Sequence, residues 1–231
     1  MQIVSFCFDD GFRATADKAR AIFGRFGWAP CLCILAAPEK AEDAYIKGTP
    51  IADWSYWREA QAAGCEIAPH GYAHENLARC SFAEATASVE RCFDIFMREL
   101  PGFLPSEQVF HTAYLSAPPE ILSWLRKRVL GVRTGLRRAG VTSIEEASST
   151  RLLDCVSYGH DTTDRLFSER IAQFVSGEDG ILTIVLHGLD GEGWGPLRSA
   201  TLEGALAKLQ QARIDVVPCG QLLSNLISPQ V

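Results

Sequence analysis

At 231 residues, 47% of them hydrophobic, the chain is long enough to bury one substantial core, and we expect a single domain over residues 1–231. Its net charge of −6 argues against a surface that binds nucleic acids or anionic membranes. No stretch approaches the roughly eighteen uninterrupted apolar residues that a membrane-spanning helix needs.

Strand-like and helical periodicities alternate from the N-terminus onward. The first half predicts strands at residues 3–8, 29–36 and 65–68, helices at 14–26, 53–63 and 81–100, and a polar loop before residue 50. Asp53 is a plausible N-cap, and Ser81 with Glu84 forms a capping box. The second half predicts strands at 108–110, 131–133, 152–157, 180–186 and 214–218, and helices at 118–129, 168–176 and 199–212. Six or more strands that alternate with helices predict a parallel sheet, and this length favours a closed or nearly closed α/β barrel.

The N-terminus and the cysteines both indicate a reducing compartment. The sequence starts directly with an apolar strand at residues 2–6 rather than with a basic segment and an apolar run, which predicts no export signal. The eight cysteines are scattered, several of them inside apolar runs, with no C-x-x-C spacing. Such thiols usually behave as small buried hydrophobes. We therefore expect eight free thiols and a cytoplasmic protein.

Polar side chains follow three of the predicted strands. Asp9 and Asp10 come directly after the first strand, His70 and His74 follow the strand at 65–68, and His187 follows the strand at 180–186. In a parallel barrel the carboxyl ends of the strands lie at one rim, where loops surround the substrate. Packing alone does not explain three strands that deliver carboxylates and imidazoles to one rim.

The histidine spacing indicates a metal site. His70 and His74 are four residues apart, which on one helical turn brings both imidazoles to the same side. A catalytic zinc-type centre has three protein ligands and an open position for water, so a carboxylate must complete the set. Asp9 and Asp10 offer two, and two adjacent carboxylates repel one another unless a cation lies between them. In the competing interpretation, one Asp caps the following helix and the other is solvated.

Three segments resemble one known family. SFCFDDG at residues 5–11 resembles the T-F-D-D-G motif of polysaccharide deacetylases, the NodB-homology superfamily. HGYAH at 70–74 resembles the second motif, H-(S/T)-x-x-H, and IVLH at 184–187 resembles the last, an apolar strand that ends in His. The order and the separations match, so the resemblance spans nearly the whole chain.

The resemblance implies a deformed β/α barrel of about seven parallel strands with Asp10, His70 and His74 as metal ligands. Two His and one Asp accommodate zinc, cobalt, nickel or iron, and zinc is our first expectation. A metal held there would lower the pKa of a bound water molecule and polarise the carbonyl that is attacked.

The resemblance also assigns the catalytic roles. Asp9 is implied as the general base that takes the proton of the water, and His187 as the general acid that protonates the leaving amine. The metal and the backbone N–H of Tyr114 would stabilise the oxyanion.

The third and fourth motifs depart from the family. FHTAYL at residues 110–115 keeps the tyrosine of R-P-x-Y but lacks the arginine and proline, so the group that holds Asp9 is open. His111 could make that contact, and the alternative that it is a surface residue is equally open. The fourth motif, D-x-x-D-W, is matched by Asp161 and Asp164, followed by Arg165 instead of Trp. We predict that Asp164 orients His187 and raises its pKa.

A glycine-rich segment at residues 188–196 follows His187 and lacks the Lys-Ser/Thr ending of a phosphate-binding loop. It predicts a flexible loop at the rim. Trp194 in this loop either stacks on a sugar ring or shields the site.

The predicted function is metal-dependent hydrolysis of a non-peptide amide, with N-deacetylation of an amino sugar or glycan precursor as the first candidate. A cytoplasmic enzyme of this type would treat a nucleotide-linked or lipid-linked amino sugar, or a small intracellular amide. One alternative is hydrolysis of a cyclic imide or ureide, as some members of the same superfamily do. Another is a catalytically weak protein that binds metal and carbohydrate.

Overall fold

Short, apolar and mostly parallel strands form the centre of the protein. The computed structural model describes residues 1–137, 139–159, 163–177 and 179–227. In these ranges the strands are β1 Gln2–Phe8, β2 Cys31–Ile34, β3 Glu66–Pro69, β4 Val109–His111, β5 Gly131–Thr134, β6 Val141–Thr142, β7 Leu152–Asp154, β8 Val156–Ser157, β9 Gly180–Leu186 and β10 Asp215–Val216. The α-helices are α1 Arg13–Arg25, α2 Ala44–Gly48, α3 Trp54–Ala62, α4 Phe82–Glu99, α5 Pro119–Leu125, α6 Ile144–Thr150, α7 Thr163–Val175, α8 Ser199–Gln211 and α9 Cys219–Ile227.

The strands form a deformed barrel. Parallel pairs join β3, β2, β1, β9 and β8 in one sheet, and β4, β5 and β7 in a second. The sheets meet where β3 lies beside β4, and again where β7 continues into β8 past a single residue, Cys155. Because β7 and β8 act as one bent strand, seven parallel segments surround the interior, as the family resemblance implies. The short β6 is antiparallel to β9, and β10 pairs in parallel with the first half of β1.

Alternation along the strands separates two kinds of buried side chain. Val4, Phe6 and Phe8 of β1 point outward and pack in the large cluster that the helices cover. Burial of each such side chain contributes roughly 1.5–3 kcal/mol. The residues between them point into the barrel, where Cys7 packs in a smaller cluster rich in cysteine. Asp9 continues this inward row past the end of β1, so the strand itself delivers the carboxylate to the rim.

Three helices lie where the sequence predicts none. α2 occupies the segment expected as a polar loop, and α6 and α9 are additional helices near the base of the barrel. Each short helix is amphipathic over one or two turns, a length at which periodicity carries little signal. A cap signal is nevertheless present for α6, since the Ser143 side chain accepts a hydrogen bond from the Glu146 backbone. No helix in the described ranges is long and apolar enough to span a membrane.

The capping box predicted for the long helix α4 is formed and offers a stability test. The Glu84 backbone donates to the Ser81 hydroxyl at 3.3 Å, and the Ser81 backbone donates to the Glu84 carboxylate at 2.9 Å. Ser81→Ala should therefore lower the free energy of unfolding by roughly 1 kcal/mol. Urea titration measures this loss. Ser168→Ala, in the exposed middle of α7, is the matched control and should leave stability within about 0.5 kcal/mol.

Candidate active site

Two strand ends bring the three predicted metal ligands together. Asp10 follows β1, His70 follows β3, and His74 lies on the loop after it. Asp10 Oδ1 is 3.5 Å from His70 Nε2 and 3.5 Å from His74 Nε2. The three ligand atoms form one compact group. These separations are too long for good hydrogen bonds and suit atoms that share one ion at about 2.0–2.2 Å from each.

Unpartnered atoms in this group support its fit to a cation. Asp10 Oδ1 and His74 Nδ1 are buried and have no hydrogen-bond partner among the described residues. A buried polar atom without a partner costs about 1–3 kcal/mol, so such atoms call for an explanation. A divalent ion bound to Asp10 Oδ1 would remove the penalty at that atom. The donor set, two imidazoles and one carboxylate, is one that zinc and similar ions accept.

A backbone hydrogen bond orients the imidazole of His70, and a carboxylate lies near that of His74. His70 Nδ1 donates to the backbone carbonyl of His111 at 3.0 Å, which leaves the Nε2 lone pair directed at Asp10. Asp43 Oδ2 lies 3.6 Å from His74 Nδ1 and accepts a hydrogen bond of 3.3 Å from the Tyr114 hydroxyl. The sequence analysis did not identify Asp43. It lies in the predicted polar loop, where its role as N-cap of α2 was the available signal.

Strained backbone is concentrated at this rim. Asp10, His74 and Tyr114 have φ values of 76°, 62° and 55°, in the left-handed region that non-glycine residues rarely adopt. Each costs of order 1–3 kcal/mol and persists only where its surroundings impose it. The Tyr114 side chain is half-exposed, and its ring lies 4.6 Å from that of His74. Tyr114, whose backbone N–H is the predicted oxyanion donor, therefore lies beside a predicted metal ligand.

Asp9 is held by an arginine that the sequence analysis missed. Arg133 Nη2 donates to both carboxylate oxygens of Asp9, at 2.8 and 2.9 Å, and both side chains are almost fully buried. Burial alone would raise the pKa of Asp9, but Arg133 and the nearby imidazoles outweigh it and hold the pKa well below its usual range. Asp9 is therefore ionised at any pH at which the protein would work, as a general base must be.

His111 binds Arg133 and does not itself make the predicted contact with Asp9. β4 and β5 pair in register at His111 and Arg133, and Arg133 Nε donates to His111 Nδ1 at 2.9 Å. His111 is fully buried, so it is not a surface residue. Arg133, on the neighbouring strand, thus makes the contact with Asp9 that the arginine of the third motif was expected to make, and His111 binds its guanidinium.

His187 faces the same site from the end of β9. Its ring meets that of Trp194 edge-on at 4.9 Å, so Trp194 covers the imidazole. Burial lowers the pKa of His187, and the nearby carboxylates of Asp10 and Asp9 partly oppose the shift.

Asp164 does not reach His187. Asp164 lies in the first turn of α7. Its carboxylate accepts hydrogen bonds from Arg198 Nε at 3.1 Å and from the Thr201 hydroxyl. It is absent from the residues that line the catalytic cavity in the described part of the chain. The predicted role of Asp164 in orienting His187 is therefore not supported, because α7 begins at Thr163 and directs the carboxylate toward α8. Asp161, the other acid of that motif, lies outside the described residues.

The glycine-rich segment after His187 forms a loop at the rim, as predicted, and hydrogen bonds connect it to the rest of the protein. The Leu189 backbone donates to the Thr15 hydroxyl at 3.0 Å, and the Leu197 backbone donates to the Gly188 carbonyl at 3.0 Å. Gly193 lies against the ring of Phe12, where a Cβ atom would clash. These contacts place Trp194 over the site.

The rim encloses a cavity of about 390 Å³. Its walls carry the carboxylates and imidazoles described above, together with three aromatic side chains, Tyr45, Tyr114 and Trp194. No lysine or arginine belongs to its described lining. The cavity is thus acidic, partly apolar and large enough for one sugar-sized group.

Solved structures of similar fold include carbohydrate esterases and peptidoglycan deacetylases. The Xyl-CE4 domain of a multidomain xylanase from the hindgut metagenome of Trinervitermes trinervoides matches with a TM-score of 0.60 at 15% identity, covering 96% of this chain and 90% of that one. A family 4 acetyl xylan esterase from Clostridium thermocellum, in complex with a cobalt ion, gives the same values. Peptidoglycan deacetylase PdaC from Bacillus subtilis gives a TM-score of 0.59 at 19% identity, covering 95% and 89% of the two chains. The protein therefore has the α/β barrel fold of the family 4 carbohydrate esterases.

The sequence itself also matches a family. The family model for polysaccharide deacetylase matches residues 1–127, more than half of the chain. A comparison with curated proteins finds no match. The protein belongs to the polysaccharide deacetylase family, and is thus a hydrolase of the deacetylase type. The fold and the family predicted from the sequence are both confirmed.

Proposed function

We propose that this protein is a metal-dependent N-deacylase that removes an acyl group from an amino sugar. The observation that carries the proposal is one cavity that holds the Asp10, His70 and His74 ligand set, the ionised Asp9 and His187. A carboxylate that stays ionised and an imidazole that can give up a proton are the pair that amide hydrolysis needs.

The residues divide the chemistry as follows. A divalent ion held by Asp10, His70 and His74 would acidify a bound water and polarise the acyl carbonyl. Asp9 accepts the proton of the attacking water while Arg133 keeps the carboxylate oriented. The backbone N–H of Tyr114 donates to the oxyanion of the tetrahedral intermediate. His187 then protonates the leaving nitrogen, which departs as the amine and leaves the carboxylic acid behind.

The lining of the cavity selects among substrates. Carboxylates line it and no described lysine or arginine does, so a phosphate or diphosphate group would meet repulsion in the cavity itself. This favours an uncharged acylated amino sugar over a nucleotide-linked one whose phosphates enter the cavity. Trp194, which lies over His187, is placed to cover a sugar ring. A cytoplasmic location remains part of the proposal, because the eight cysteines are free thiols, as in proteins of a reducing compartment.

The metal site is tested by stoichiometry. The purified protein should bind about one divalent transition metal ion at the rim, and Asp10→Asn, His70→Ala or His74→Ala should each abolish that binding. Asp164→Asn is the matched control for Asp10→Asn, because its carboxylate lies outside the cavity, and it should retain the ion. Equilibrium dialysis with metal analysis measures both. Full occupancy in the ligand variants would overturn the assignment of these three residues.

The reaction is tested on a panel of acylated compounds. Metal-dependent release of acetate or formate should be found with N-acylated amino sugars, and slower or no turnover with O-acetyl sugars and cyclic imides. Faster turnover of a cyclic imide would replace the proposed substrate class within the same chemistry. Absence of turnover on the whole panel, with the ion bound, would favour the metal- and carbohydrate-binding alternative.

A further inference from the structure

The interior of the barrel holds four thiols that the proposed function does not use. Cys7, Cys31, Cys33 and Cys219, named the thiol cluster below, are all buried to within 1% of complete burial. Cys31 Sγ is 3.6 Å from Cys33 Sγ, and Cys7 Sγ is 3.5 Å from Cys219 Sγ. The sulfur atoms of the first three all lie within 4.8 Å of one another.

The fold explains why these four side chains meet. Cys7 and Cys31 are direct partners in the parallel ladder of β1 and β2, and Cys33 lies two residues on, so all three point into the barrel. Cys219 begins α9, the helix near the base of the barrel. Three separate elements thus direct sulfur atoms into one region of the barrel interior, beneath the rim, where Cys33 Sγ lies within 4.8 Å of a carboxylate oxygen of Asp9.

The separations match those of a sulfur-rich metal site. Zinc binds thiolates at about 2.3 Å in a tetrahedron, which places neighbouring sulfur atoms about 3.8 Å apart. The two closest sulfur pairs, at 3.5 and 3.6 Å, differ from that value by only a few tenths of an ångström, and Cys7, Cys31 and Cys33 lie within 4.8 Å of one another. Formation of a disulfide would instead require the sulfur atoms to approach to about 2.05 Å.

Polar groups that favour thiolates surround the cluster. Because His111 Nδ1 accepts from Arg133, the neutral imidazole carries its proton on Nε2, which faces Cys31 Sγ at 3.9 Å. His111 is therefore placed to donate to sulfur, not to bind a metal. Arg133 Nη1 is buried without a hydrogen-bond partner among the described residues. The guanidinium supplies positive charge beside a cluster that becomes negative when its thiols lose their protons.

We propose that the thiol cluster binds one thiophilic metal ion, with zinc as the natural candidate, at a site separate from the one at the rim. Thiolates are soft ligands that select zinc or copper(I), whereas the carboxylate and imidazoles of the rim do not require such an ion. Binding releases the thiol protons to solvent, so the affinity should increase with pH. The role of such an ion is structural, since it would link β1 and β2 to α9.

Glu66 provides a route for the ion. It stands at the start of β3, at the opposite end of the strand from His70, and lines a surface depression together with Gly220 and Gln221. Its carboxylate accepts hydrogen bonds from both of those backbone N–H groups and from the Cys31 thiol at 3.2 Å. A cation that enters the depression would meet this carboxylate first and the sulfur atoms next.

Cobalt(II) is the probe that separates the two sites. Reduced, metal-free protein titrated with Co²⁺ should bind about two ions per chain, and one of them should give the intense sulfur-to-cobalt charge-transfer band of a thiolate site. The rim ligands contain no sulfur, so His74→Ala should lose one ion and keep the band. The thiolate band in the His74→Ala variant therefore tests the thiol cluster whether or not the rim binds metal and the protein hydrolyses the proposed substrate.

Substitutions identify the ligands. Cys7→Ser and Cys219→Ser should each weaken the band or abolish it, whereas Cys80→Ser, a cysteine outside the cluster, should leave it unchanged. If these variants unfold, the titration of the unmodified protein still decides. A titration that ends near one ion with no thiolate band would overturn the proposal and show that the four thiols serve only as small packing groups.

Discussion

His187→Ala is expected to lower kcat/KM by about 10²–10⁴ while the rim metal stays bound, because one general acid contributes that much to the rate. This loss is equivalent to roughly 3–5 kcal/mol of transition-state stabilisation. Steady-state kinetics with an N-acylated amino sugar, together with metal analysis of the same preparation, measures both quantities. The Asp164→Asn variant is the control and should keep near-normal activity, since its carboxylate bonds to Arg198 and Thr201. Loss of the metal in His187→Ala would show that the imidazole is a ligand instead.

The pH profile gives a second readout for His187. Burial lowers its pKa, so the protonated form that a general acid needs is lost as pH rises through a value below the usual 6.5 or so. The basic limb of kcat/KM should therefore fall in that region and disappear in His187→Ala. Asp9 is held ionised by Arg133, so the acid limb must come from another group, such as the metal-bound water. A basic limb unchanged by the substitution would contradict the role of His187.

The residues at the rim of the barrel could be predicted from the sequence because each lies next to its own strand along the chain. A carboxylate or imidazole directly after an apolar strand lies at the carboxyl end of that strand, whichever strands are its neighbours. Asp10, His70 and His74 converge as expected, and Asp9 and His187 line the same cavity. The order of the motifs also allowed the family to be predicted, since three short segments at the right separations are more specific than any one of them.

What could not be predicted depends on the register between strands. Arg133 lies in the middle of a short apolar strand, and only the pairing of β4 with β5 places it beside His111 and within reach of Asp9. One signal was present: an arginine in a strand expected to be buried needs a partner. The prediction that Asp164 orients His187 was not supported, because the spacing of a motif does not determine the direction in which the first turn of a helix points its side chains.

Arg133→Met should have the largest effect on stability, about 3–5 kcal/mol, because it leaves the Asp9 carboxylate buried without its counter-ion. Urea unfolding of the metal-free protein measures the loss, so that no bound ion contributes. Arg165→Met is the matched control. Arg165 forms an exposed pair with Glu169 on one helix, and such pairs contribute less than about 0.5 kcal/mol. A comparable loss in the two variants would mean that the buried Asp9–Arg133 pair contributes no more to stability than an exposed ion pair.

The pH dependence of that loss has a definite sign. In the unmodified protein the folded-state pKa of Asp9 is below its unfolded value of about 3.9, so the pair contributes stability that is full above about pH 5 and is lost as pH falls. In Arg133→Met, burial is no longer opposed by the guanidinium, and the pKa of Asp9 should rise above the unfolded value. Stability from that group is then present at low pH and lost as pH rises through the new pKa. The difference between the two proteins should therefore increase from about pH 3 to pH 7.

A double substitution separates the ion pair from simple loss of packing. Asp9→Asn alone should also be destabilising, because it leaves the guanidinium buried with one hydrogen-bond acceptor in place of a charge partner. Asp9→Asn combined with Arg133→Met leaves no buried charge unpaired, so the double variant should be less destabilised than the sum of the single losses, by more than about 1 kcal/mol. It should nevertheless remain inactive, since the general base is absent. If the losses simply add, Asp9 and Arg133 contribute independently, and the mechanism would need another group to orient the carboxylate.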